Sequence, residues 1–234
     1  MAILISFVSI IRARKIAAQQ LGSEHMATMN KYPLNECKMP DLSALSSSNS
    51  IEYAIRVNFQ NIGPKEEVAT NLIRNFIRLV DQLVFEYESA RTLSQQMISY
   101  RKKNPGDIGV TGYIFMMIGL LETTIVLLHR SILFAKALES INPEIVRLDP
   151  QIINNGDMAR IVNFRHAIQH WDDRITGEAA KKGRSIVESG QANSMLPGID
   201  GFELLEKRIE YEELSQWIRH IHAKMNEAMG YSEV

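Results

Sequence analysis

The chain has 234 residues, 45% of them hydrophobic and 23% charged, proportions that exclude a wholly disordered or fibrous protein. Lys and Arg total 26 against 27 Asp and Glu, a formal net charge of -1, so there is no global positive field to hold nucleic acid indiscriminately and any such contact must be local. Cys37 is the only cysteine, which excludes an intrachain disulfide and a cysteine-based zinc cluster and fits a reducing, cytoplasmic address.

In chain order, Met1 to Ile11 is an apolar run followed by Arg12, Arg14 and Lys15, with no acid before Glu24. It is too short to span a bilayer, and its charge follows the apolar part instead of preceding it as in a secretory signal. We read residues 1–50 as an N-terminal extension ending in a polar Pro/Ser-rich linker over 30–50, and 51–234 as the folded domain. Ile51, Tyr53, Ile55, Val57 and Phe59 alternate with polar residues and predict a single half-buried strand.

After Gly63-Pro64, the series Val68, Leu72, Phe76, Leu79, Val80, Leu83 and Tyr87 predicts a helix running toward Tyr100, stopped by Asn104-Pro105-Gly106. A second helix, about Gly112 to Glu139, is apolar on nearly every side. Its stretch Tyr113 to Leu128 carries Glu122 and is short of a span, so it reads as the central core helix and no stable membrane insertion is expected. A third helix is capped by Asp157 and carries Ile161, Phe164, Ile168 and Trp171. Residues 176–201 are glycine-rich and read as a long loop or small hairpin. A last helix, about Tyr211 to Met229, presents Leu214, Trp217, Ile218, Ile221 and Met225. The expected fold class is all-α, an antiparallel four-helix bundle in which each amphipathic face covers another.

No Gly-rich phosphate loop, GxSxG turn, HExxH or Cys–His metal spacing occurs. The chemistry concentrates on the third helix, in Asn163-Phe164-Arg165-His166-Ala167-Ile168-Gln169-His170-Trp171-Asp172-Asp173-Arg174-Ile175. Arg165 and His170 are separated by about 7.5 Å along the helix and about 140° around it. A guanidinium can hold a scissile phosphate through paired hydrogen bonds, while an imidazole titrating near neutrality can take the proton of a ribose 2′-hydroxyl or deliver one to a leaving 5′-oxygen. No metal is needed for such a cleavage.

The run Arg165-His166-Ala167-Ile168-Gln169-His170 resembles the Arg, polar residue, further residues and His signature of the HEPN superfamily of four-helix-bundle proteins, and Trp171-Asp172-Asp173-Arg174 resembles its bacterial continuation. The resemblance implies a metal-independent endoribonuclease whose two motifs meet across a homodimer, in toxin–antitoxin, phage-defence or CRISPR-associated settings. It implies Arg165 as phosphate clamp, His170 as general acid/base and His166 as the polar residue shaping the site, with an RNA substrate and an antitoxin or defence partner. Asp172 stands where one subgroup of toxins has a tyrosine, which argues against the toxins whose tyrosine is modified by a paired nucleotidyltransferase.

Other readings are open on the residues alone. Glu122, interrupting an apolar stretch, is the expected ion-pair partner that orients Arg165, and Asp173 is a further orienting candidate or part of a solvated turn. Lys181, Lys182 and Arg184 form a basic cluster able to meet RNA phosphates, as do Arg101, Lys102 and Lys103. A metal site on His166, His170 and Asp173, completed by His129, His220 or His222, is the chemical rival, but Glu-x-x-His pairs on two helices are lacking and no metal or other cofactor is expected. His220 and His222 are expected on the exposed flank of the last helix. The alternative function is a non-catalytic HEPN-like module for dimerisation or for RNA or partner binding.

Overall fold

A computed structural model describes residues 36–45, 49–60, 63–105, 107, 109–169, 196–204 and 207–231, to which all structural statements refer. The chain divides into two units, Met1–Glu36 and Cys37–Val234, and the elements below belong to the second. They are a 3-10 turn at Ser43–Leu45, then α1 (Asn49–Gln60), α2 (Glu67–Lys103), α3 (Val110–Ile141) and α4 (Asn155–Gln169). A small sheet of β1 (Leu196–Pro197), β2 (Gly201–Leu204) and β3 (Lys207–Glu210) follows, and α5 (Tyr211–Gly230) closes the series. The described fold is thus predominantly helical.

The stretch 51–59 is helical, in α1, and not the strand its alternation predicts. A period-two series contains within it residues four apart, so the same residues also form helix ridges. Tyr53 is buried and Val57 packs on the core, while Ile51, Ile55 and Phe59 form an exposed ridge. The helix start is tied to α2: the Asn49 amide donates to Asp81 Oδ1 at 2.8 Å and the Ser50 backbone N–H to Asp81 Oδ2 at 3.0 Å. Nearby, part of the expected linker is folded. Leu42 is fully buried, its N–H donates to Glu88 Oε1 at 2.6 Å, and Tyr87 donates to the Pro40 carbonyl.

α2 and α3 form a helical hairpin. α2 ends in Arg101, Lys102 and Lys103, cations that suit the negative end of the helix dipole. In the turn, the Tyr100 hydroxyl donates to Asp107, whose other oxygen accepts the Gly109 N–H, and Tyr100 lies against Tyr113 with ring centroids 5.5 Å apart. The facing sides are close-packed: Ile73, Phe76, Leu83 and Tyr87 of α2 and Leu121, Ile125, Leu128 and Ile132 of α3 are fully buried.

α3 itself is not the enclosed central helix that its composition suggests. It is the one described helix long and apolar enough to cross a membrane, yet only 28% of its most apolar window is buried. Phe115, Met116 and Leu133 stand exposed. Covering all sides of a helix needs neighbours on all sides, and among the described residues α2, α4, α5 and the strand Leu196–Pro197 pack on it and leave these side chains uncovered.

α4 begins two residues before Asp157, the residue expected to cap it. Asn154 is the cap: its Oδ1 accepts the N–H groups of Gly156 and Asp157, and Asp157 Oδ2 accepts the Asn154 N–H at 3.1 Å, a reciprocal capping pair. Ile161 and Phe164 are buried as predicted.

The antiparallel sheet, ordered β1-β2-β3, lies partly within the expected loop or hairpin of 176–201; residues 176–195 lie outside the described part. Phe202, fully buried opposite Ile209, meets Phe164 edge-on at 5.8 Å and Tyr211 at 6.0 Å, which ties sheet, α4 and α5 into one core. Arg160 adds a polar tie. It donates to both Glu213 oxygens and, at 2.9 Å, to the Arg208 carbonyl, and its guanidinium lies 5.7 Å over the Trp217 ring. Arg160→Ala is expected to lower unfolding stability by about 1 kcal/mol, a half-exposed pair being partly screened, measurable by urea titration beside Lys38→Ala, whose pair with Asp200 is the exposed control.

Candidate functional site

The motif helix brings two of the predicted groups into the described structure. Phe164 and Ala167 of α4 are buried, which turns Arg165 to the half-buried rim and leaves His166 exposed. His170, Asp173, Lys181, Lys182 and Arg184 lie outside the described residues.

Arg165 acts electrostatically on a residue that the motif does not contain. His129 of α3 is 5% exposed, and burial holds its imidazole below the ordinary 6.5, with Arg165, His166 and Lys136 pushing further in the same direction. The side chains acting on it among the described residues are all basic. Its Nδ1 is buried and has no hydrogen-bond partner among the described residues. Near neutrality this side chain is therefore a neutral imidazole on which the Arg165 and Lys136 cations act, able to accept a proton where an anion would offset the positive charge. The sequence signal for it is a lone histidine in an apolar helix, seven residues and so two helical turns after Glu122.

Glu122 does not take the orienting role expected of it. No ion pair or hydrogen bond joins it to Arg165 among the described residues; its carboxyl is half-buried, and burial alone raises its pKa.

The two late histidines are inside and not on an exposed flank. His220 is 8% exposed, and its Nε2 accepts the Asp149 N–H at 3.3 Å, which ties α5 to the turn after α3. His222 is half-buried, with Nε2 lacking a partner among the described residues. Among the described residues no three His, Cys, Asp or Glu side chains are grouped to hold a metal ion.

Burial depresses the pKa of His129, His220 and His222 alike, with Lys224 reinforcing it at His220 against the opposite pull of Asp149 and Glu227. A folded value below that of the unfolded chain means that the unfolded state binds more protons as the pH drops. The stabilisation is fully present above 6.5 and is lost as the pH falls through the depressed values. Urea midpoints are expected to fall between about pH 7.5 and about pH 5.5, and His220→Gln to narrow the difference.

The open groove between α2 and α3, lined by Phe85, Leu93, Met116, Leu120 and Thr123 among others, has Glu88 as its one ionisable lining group among the described residues, and that carboxylate is already held by Leu42 and Arg91. It offers no chemistry. No known family, curated protein or solved structure matches this chain.

Proposed function

We propose that the chain is a HEPN-like, metal-independent endoribonuclease, cytoplasmic, homodimeric and of the toxin or defence type, its helices forming a HEPN-type antiparallel bundle. Arg165 clamps the scissile phosphate, His170 serves as general acid/base and His166 shapes the site. The observation that supports it best is the packing of α3 on α4, which sets the buried His129, its Nδ1 without a partner among the described residues, against the motif helix that carries the basic cluster of Arg165 and His166. A phosphodiester answers the charge of such a cluster, and a neutral imidazole beside it can hold the proton released by a 2′-hydroxyl. In this reading His129 joins the site as a second imidazole, and Lys181, Lys182 and Arg184 bind flanking phosphates.

The test is incubation of purified protein with mixed RNA in EDTA, followed by analysis of the new ends. Ends bearing 2′,3′-cyclic phosphate are expected; intact RNA, or cleavage only after a divalent cation is added, would remove the proposal. A second reading, a non-catalytic dimerisation or binding module, is favoured by the uncovered apolar side of α3. RNA retained without cleavage would select it.

A further inference from the structure

The exposed side of α3 carries seven residues whose spacing reads the same in both directions. Phe115, Gly119, Glu122, Val126, Arg130, Leu133 and Ala137 follow one another at intervals of 4, 3, 4, 4, 3 and 4, and at 3.6 residues per turn they lie within an arc of about 80° over about 33 Å of helix. Phe115 is 66% and Leu133 47% exposed, Gly119 and Arg130 are exposed, and the other three are half-buried.

We infer that this face pairs with the same face of a second copy, antiparallel, about a two-fold axis passing at Val126. Such an axis sets residue 126−n of one copy beside 126+n of the other. Phe115 then meets Ala137, Gly119 meets Leu133, Glu122 meets Arg130, and Val126 meets itself. Each large side chain faces a small one, and each charge faces its opposite, twice over. Among the described residues of one chain neither charge is answered: Glu122 and Arg130 stand about 12 Å apart along the helix, no ion pair involves either, and the residues three and four away from each are uncharged. A lipid surface would suit the apolar residues and not these two charges in the middle of the face, whereas a second copy suits both.

The pairing stands without the ribonuclease reading, but one consequence rests on that reading. The axis is perpendicular to the plane of the helix pair, so the two copies of α4 lie across the axis from one another but on the same face of that plane, each packed on an α3 whose His129 is three residues from the axial position. Two motif helices would thus frame one composite groove for RNA.

Sedimentation of the full chain at micromolar concentrations is expected to give twice the monomer mass. Glu122→Arg and Arg130→Glu should each weaken the dimer by at least about tenfold, because each sets two like charges together, and the double exchange should restore it. In a Cys37→Ser background, Val126→Cys should form a disulfide-linked dimer on mild oxidation and Leu133→Cys should not, since the latter pair would sit about 21 Å apart. Circular dichroism confirms that each variant is folded, and the exposed Arg130 carries the test should Glu122→Arg fail to fold. A monomer, a dimer indifferent to both charge reversals, cross-linking at both cysteine positions, or a monomer that floats with anionic vesicles would each overturn the interface. A dimer that behaves as described but leaves RNA intact would overturn the ribonuclease reading alone.

Discussion

Replacing Arg165 or His170 with alanine is expected to lower RNA cleavage by at least about 100-fold, the usual loss when a charge-stabilising donor or a proton-transfer group is removed. The melting temperature of Arg165→Ala should move by less than about 2 °C, because the guanidinium sits at the half-buried rim of α4 and, among the described residues, is not the partner of a buried acid. A second readout separates a placed arginine from a merely positive one. Arg165 is the largest charged influence on His129, so its removal should raise the His129 pKa, which imidazole proton shifts followed by NMR would record. Unchanged cleavage would discard the catalytic assignment; an unchanged His129 titration would discard the proximity of the two groups.

The second large effect concerns Phe202. It is fully buried between Phe164 and Tyr211, with edge-on geometry to the first. Phe202→Ala is expected to cost about 3–5 kcal/mol in urea unfolding, the usual range for deleting a core aromatic, against about 0.5 kcal/mol or less for Phe59→Ala. Phe59 is 82% exposed on α1. Equal losses in the two variants would mean that the sheet is not a structural part of the core.

The contrast between these two phenylalanines shows where sequence patterns are informative. Leu214, Trp217, Ile218, Ile221 and Met225 recur at helical spacing and all are buried on α5, because a strongly one-sided pattern leaves a helix one way to lie. Residues 51–59 satisfy two periods at once, and the choice was made by Asp81 on another helix, which no local pattern contains. α3 is apolar around most of its circumference, so its residues name no preferred side and did not reveal that one side is uncovered. At the site, Arg165 and His166 stand out through their spacing within one helix, whereas His129 joins them across 36 residues of chain through the packing of α3 on α4. His220 looked like surface because its neighbours already supplied an apolar face; the Asp149 backbone that covers it comes from 71 residues away.

The α2–α3 hairpin also bears on the order in which the chain assembles. Its two helices are joined by the short turn that Tyr100, Asp107 and Gly109 fasten, and contact between them exceeds that of any other pair of elements. Loops that close over few residues lose little entropy, so this pair can zip outward from its turn at an early stage. α5 reaches α2 only after more than a hundred intervening residues, and burial of Trp217 should therefore mark the slow phase of refolding.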